Sequence, residues 1–276
     1  MSVVIRDAAA IIAALEDPAL VPPPRPGAGS TLQLRAAMAR FSSPADHPVR
    51  RAAVVDAIER IDPDAVARAA TTLTCMLLDG EEVDAVADIA AIVPTRALAS
   101  CLPVADGRLL GDFDVVAAVA AMVGVIGHGG PVTPEADDAV SNLVARHGVE
   151  GASALYQNHD ATGALITTRL MAQASGRTPA SAVPRTKRLA ALPHGAAVGE
   201  EVILEIGAAG LPFGAGPHRC PGERLAEALA NAVLEAISSA GYLPDLAGAR
   251  YDSDRRPTRL PLRRTAQSGS PRLRTA

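Results

Sequence analysis

The chain has 276 residues, 49% hydrophobic and 2% aromatic, with no Trp and a formal net charge of −4. This is enough for a substantial core built mainly from Ala, Val and Leu, and the acidic balance excludes a general nucleic-acid binder. Three cysteines at long spacings, Cys75, Cys101 and Cys220, exclude a disulfide framework and point to a reducing compartment.

No positively charged, apolar signal segment opens the chain. Residues 7–16 read as a short helix ending near Asp17-Pro18, and 21–26 (VPPPRP) as an extended connector of polyproline character. A second helical stretch covers 31–41. Asp46-His47-Pro48 marks a helix start, with Asp46 or His47 as cap, running to about Ile61. Asp62-Pro63 opens another, to about Leu78. Residues 81–93, 111–127 and 134–147 also read as helices. The apolar run 115–126 is too short to span a bilayer, so the expectation is a soluble cytoplasmic protein with no membrane contact. The longest helical pattern is 149–174, closed by Ser175-Gly176.

Residues 183–188 and 202–206 read as β, separated by Pro193, Gly195 and Gly199. A loop with five glycines spans 207–222. The stretch 225–237 is an amphipathic helix, with Leu225, Leu229, Ala232, Val233 and Ala236 at helical spacing. Residues 260–262 read as an edge strand. The stretch 252–276 is basic, with seven Arg against two Asp, which reads as a solvated tail.

The chemistry concentrates in residues 213–226, FGAGPHRCPGERLA. A soft iron ligand from Cys must be a thiolate, and free Cys is mostly protonated at neutral pH. A bound metal deprotonates the thiol, and backbone amides aimed at the sulfur stabilise the charge further. Gly214, Gly216 and Gly222 permit a tight backbone path and close approach to a flat macrocycle. The positive end of the following helix lies beside the sulfur. His218 can donate to a haem propionate, and Phe213 can pack beside the sulfur and limit water. A zinc site using His218 and Cys220 lacks two further ligands at plausible spacing. The remaining alternative is a Gly-rich turn with an inert Cys.

This loop resembles the haem-binding signature of the cytochrome P450 family. Phe213, Gly216, His218, Cys220 and Gly222 match, and Leu225-Ala226 continue the match. At about one in twenty per position, five such identities arise by chance on the order of once in ten thousand chains this long, which favours the resemblance over coincidence. It implies haem b with Cys220 as the iron ligand. Residues 46–51 (DHPVRR) resemble the family's helix whose His and Arg lie four apart, so His47 and Arg51 are expected to reach a propionate from one face. Residues 183–188 (VPRTKR) resemble the strand whose Arg also meets a propionate; Arg188 is the choice, with Arg185 its rival.

Residues 157–162 (QNHDAT) resemble the family's oxygen-activating segment: a small pair, any residue, an acid and a threonine. Gln157 and Asn158 replace the small pair, and Ala161 stands where the hydroxyl belongs. Thr162 follows one residue later, rotated by about 100°. The candidate catalytic set is therefore Asn158, His159, Asp160 and Thr162, with a carboxamide over the iron and His159 or Asp160 as general acid or base. The plain alternatives are a helix-surface acid for Asp160 and a partly buried, hydrogen-bonded His159.

The resemblance covers nearly the whole chain, which is shorter than typical members. Little room remains between 174 and 183 for two helices of the family, and its Glu-x-x-Arg pair is absent. The implied fold is mainly α with a small β portion, a reduced cytochrome P450-like fold. Residues 1–265 form a single haem-thiolate domain, and 266–276 a disordered tail. The implied function is a haem-thiolate oxidoreductase acting on a small molecule, using dioxygen with an electron-transfer protein, or a peroxide. The alternative is a non-catalytic haem module or an accessory subunit. An apolar face left by the missing helices would be covered by an oligomeric or heteromeric partner.

Overall fold

The computed structural model describes residues 2–105, 114–190, 198–253 and 256–265; the expected tail 266–276 lies outside them. Local chemistry starts most helices. Asp7 caps α1 (Ala8–Glu16) by accepting from the Ala10 amide. Pro48 sits in the first turn of α3 (His47–Glu59). Asp62 caps α4 (Pro63–Leu77). Thr133 caps α7 (Pro134–Ser175), with Glu135 and Asp137 in its first turn, and Gly176 ends it at φ 66°. Such first-turn acids oppose the positive helix end. The remaining helices are α2 (Ser30–Ala37), α5 (Val93–Cys101), α6 (Val115–Ile126) and α8 (Glu223–Ser239).

Helix α7 is broken at Gly148 (φ 71°, ψ 178°), so its long second half runs separately from 149, as the sequence expects. Helix α8 packs against α4, while α2, α5, α6 and α8 surround α7. The apolar stripe of α8, including Leu229, Val233 and Ile237, enters the main core with Met122, Leu155, Ile166 and Leu170. No described helix is long and apolar enough to cross a membrane.

Four short strands form one sheet in the order β1-β5-β4-β2: β1 (Val3–Ile5), β5 (Glu201–Leu204), β4 (Thr186–Ala190) and β2 (Leu20–Val21). The β1–β5 pair is parallel and the other two are antiparallel. With α1 this sheet makes a second, smaller core around Ile11, Leu15, Leu204 and Ile206. A two-stranded ribbon pairs β7 (Arg250–Tyr251) with β8 (Pro257–Arg259).

Two expectations are corrected. Residues 81–93 are not a helix: β3 (Glu82–Asp84) pairs with β9 (Pro261–Arg264), and a π-helical turn follows over Ala85–Ala90. Long-range pairing overrides the helical spacing here. Asp84 accepts from both the Val86 and Leu260 amides and so fixes the strand end. Strand β9 is not an edge, because it lies between β3 and β6 (Tyr242–Pro244). The sequence also left α5 unread; Pro94 sits in that helix's first turn, where no amide donor is needed. Among the described residues, large exposed apolar side chains are scattered and none lies on α7, so no apolar face is left bare along it.

Candidate functional site

The loop after β5 folds back on itself. The Cys220 amide donates to the Phe213 carbonyl (2.8 Å), and the Gly214 amide to the Leu211 carbonyl (2.9 Å). Gly214 has φ 73°, and a Cβ there would lie 3.0 Å from the His218 carbonyl, so the turn tolerates no larger residue. One 3₁₀ turn, Gly216–His218, then leads through Cys220 into α8 at Glu223. The Gly222 backbone amide favours the ionised form of the Cys220 sulfur. Burial pushes the Cys220 thiol up, while that amide, Arg51 and Arg40 pull it down. The net shift is upward, so the thiol depends on a bound cation to ionise.

Helix α3 brings His47 and Arg51 to this loop from one face, four residues apart. Arg51 donates to the Arg219 carbonyl. Burial lowers its pKa, and Cys220 opposes that. His47 is 8% exposed, and its pKa is lowered by burial, then by Arg51 and Arg188. His218 is pushed down to about 4 by burial first, then by Arg188, His47 and Arg51. Both imidazoles are therefore held neutral beside two guanidinium groups.

Arg188, on β4, is 7% exposed and brought down to about 10, by burial and then by Arg40. Its Nη1 reaches the Lys187 carbonyl (3.0 Å), but its Nε has no partner and no carboxylate pairs with it among the described residues. Arg185, its rival, is exposed. A buried guanidinium without a counter-charge is costly, so this corner suits a ligand that carries negative charge.

A cavity of about 860 Å³ lies between this loop and α7. Phe213, Gly214, His218, Cys220 and Gly222 line it on one side. Gln157, Asn158, Ala161, Thr162 and Leu165 line it on the other. His47, Arg51 and Arg188 also line it. Among the described residues Glu227 is the sole acid lining it, and Arg169 already holds it at 2.6 Å.

Two expected site residues are turned away, which corrects their expected place at the distal face. His159 Nδ1 shares a hydrogen bond with Thr95 Oγ1 (2.8 Å), and neither residue lines the cavity. Asp160 accepts from His128 Nε2 (2.8 Å) on the solvent side. The reason is helical phase: positions 157, 158, 161, 162 and 165 share the cavity face, and 159 and 160 lie off it. Asn158 is on the right face, yet its carboxamide is engaged at both ends. Its Nδ2 donates to the Pro94 carbonyl and its Oδ1 accepts from Thr162, each at 2.7 Å.

Sequence reading missed Arg35, Arg40, Phe41 and Tyr156, which also line the cavity. No local motif surrounds them, so no spacing signal was available.

A haem fits these residues. Its two carboxylates would meet the orphaned Arg188 Nε and the nearby Arg51, on a wall with no free acid among the described residues. Among the described residues Cys220 is the single soft donor on the cavity wall. Among the described residues, no three His, Cys, Asp or Glu side chains gather to hold a metal ion by themselves.

No protein-family model matches the chain, and no curated protein matches it. Solved structures do. P450BioI, in complex with an acyl carrier protein carrying hexadec-9Z-enoic acid, superposes with a TM-score of 0.72 at 15% identity, covering 95% of this chain and 92% of that chain. A thermophilic cytochrome P450 from Sulfolobus tokodaii gives 0.67 at 15% identity, covering 95% and 94%. Cytochrome P450 EryK from S. erythraea gives 0.62 at 18% identity, covering 99% and 92%. The long helix over a cysteine loop, the two cores and these superpositions lead to one statement: the chain has the cytochrome P450 fold, carried by a divergent sequence.

Proposed function

We propose that this protein is a haem-thiolate oxidoreductase acting on a small molecule. The observation that carries the reading is Cys220 on the wall of a cavity that His47, Arg51, Arg188 and His218 also line, with no free carboxylate among the described residues. Cys220 would hold the iron of haem b through its thiolate. Arg51 and Arg188 would neutralise the propionates by charge-assisted hydrogen bonds, and the neutral imidazoles of His47 and His218 would add hydrogen-bond donors. Phe213 shields the sulfur, and Gly214 and Gly222 keep the backbone path open. When bound, the haem supplies oxidation chemistry in which an axial thiolate favours O–O cleavage. The oxidant is dioxygen with an electron-transfer protein, or a peroxide.

Helix α7 shapes the opposite wall. Pro94 and Thr162 hold the Asn158 carboxamide in one orientation, so it acts as a fixed spacer. Gln157 also lines the cavity, and its amide makes no hydrogen bond among the described residues. It is the carboxamide able to bind water or ligand. His159 and Asp160 are assigned no contact with substrate.

A second reading, a haem module without turnover, draws on Ala161 standing where the resemblance expects a hydroxyl, with the Thr162 hydroxyl donated to Asn158. Substrate-dependent turnover by the isolated chain separates the two.

The test is the ferrous carbonyl spectrum of the reconstituted chain. Cys220→His should convert it from a thiolate to an imidazole type, while Cys75→Ala and Cys101→Ala leave it unchanged. An unchanged spectrum in Cys220→Ala overturns the reading.

A further inference from the structure

The cavity holds more positive charge than a haem can neutralise. Arg35, Arg40, Arg51 and Arg188 all line it without a carboxylate partner among the described residues. Two propionates offset two of these charges. Two guanidinium groups remain, inside a chain whose formal net charge is −4.

The surplus is localised. Arg35 is 8% exposed, and its guanidinium lies 4.1 Å from the Phe41 ring centroid. One of its nitrogens donates to the Pro23 carbonyl (2.6 Å), but its Nε has no partner. Arg40 stacks on the same ring at 5.8 Å, and the Tyr156 ring lies 6.1 Å from it. The Tyr156 hydroxyl makes no hydrogen bond among the described residues. Phe41 thus gathers two cations and a phenol donor beside Gln157 on α7. Burial raises the Tyr156 pKa, which keeps its hydroxyl a donor at neutral pH. Burial lowers that of Arg35, as expected for a cation stripped of water with no anion in return.

We propose that the cavity's small-molecule ligand is an organic anion, its acid group held by the Arg35 guanidinium and the Tyr156 hydroxyl, with Arg40 adding charge. The proposal rests on the haem-thiolate reading, because the propionates account for the other cations. A planar guanidinium and a phenol together offer the donors that a carboxylate or phosphate accepts. A neutral molecule of the same shape would leave the Arg35 charge buried and uncompensated. The apolar wall formed by Leu98, Ile126 and Leu165 receives the remainder of the molecule.

The test is calorimetric titration of the haem-loaded full chain with octanoate, 4-phenylbutanoate and octyl phosphate, each against an uncharged ester of the same chain. The acids should bind about tenfold or more tightly than their esters, and less so as salt rises. The carboxylate and phosphate arms report which acid group is preferred. Arg35→Met should bring acid affinity to that of the ester and leave ester affinity and the haem spectrum unchanged. Tyr156→Phe, which removes only a hydroxyl, should reduce the preference about threefold to tenfold and guards against a folding defect in the first variant. Acid and ester binding alike, no acid binding at all, or a preference that survives both variants overturns the proposal. A chain that takes up no haem fails the haem-thiolate reading and this proposal with it. A haem-loaded chain indifferent to the acid group fails this proposal alone.

Discussion

The imidazole rings of His47 and His218 lie 4.3 Å apart between centroids, tilted by 44°. His47 lowers the proton affinity of His218, and each ring is held down mainly by burial, then by neighbouring arginines. The ordinary value for His218 is 6.5 and the folded one about 4. A depressed folded pKa means that the unfolded chain binds the proton first. Stability of the haem-free chain should therefore be full above about pH 6.5 and fall as pH drops toward 4. Denaturant midpoints at pH 7.5, 6.5 and 5.5 measure this, and a His218→Asn variant should flatten the slope. Two bound carboxylates reverse the sign locally, so the His218 resonance should titrate at higher pH in the loaded protein than in the haem-free one.

Arg188 separates stability from binding. Its charge is buried without a counter-charge among the described residues. Arg188→Met should stabilise the haem-free chain by about 1–2 kcal/mol, since burying a charge costs more than burying a thioether. The same variant should weaken haem retention tenfold or more, because a propionate loses a charge-assisted partner. Thermal melts of the empty chain and dissociation of haem into a scavenger protein give the two numbers. Equal losses in both would mean that Arg188 is an ordinary structural residue.

The Asn158 carboxamide ties α7 to α5 through Pro94. Asn158→Ala removes that bond and leaves the Thr162 hydroxyl, 2% exposed, without its acceptor. The expected cost is about 1–3 kcal/mol in chemical denaturation. Gln157→Ala should cost under about 0.5 kcal/mol and yet alter peroxide reactivity more than Asn158→Ala does, because the Gln157 amide is uncommitted.

Gly163 marks the contact between α7 and the π-helical turn. A Cβ there would lie 2.9 Å from the Ala90 carbonyl oxygen. Backbone cannot rotate aside as a side chain can, so Gly163→Ala should destabilise by about 1–3 kcal/mol. Gly176→Ala, where no atom lies within 4 Å, isolates the cost of φ 66° alone and should fall near 1 kcal/mol. A larger loss at 176 than at 163 would show that backbone conformation, not close approach, limits this helix.

The cysteine loop was legible because its chemistry is contiguous. Glycines, His218, Cys220 and the start of α8 fall within about ten residues, and the loop closes on itself through the Phe213 carbonyl. Helix starts were equally legible at Asp7, Asp62 and Thr133, where the capping atom and the capped amide lie two or three residues apart. The stretch 81–93 failed for the opposite reason, since its partner Leu262 lies far along the chain.

By itself, then, the sequence determined the α-rich architecture, the break at Gly148, and the residue types that converge on Cys220. Tertiary structure alone decided which face of α7 looks into the cavity, and so removed His159 and Asp160 from it. It also decided that Asn158 is committed to Pro94, 64 positions away. It gathered Arg35, Arg40, Phe41 and Tyr156, which share no motif. A cap or a tight loop is set by bonds between near neighbours, whose energies the local residues fix. Which side chain faces a cavity depends on how whole helices pack, and that is a sum over contacts between residues far apart in the chain.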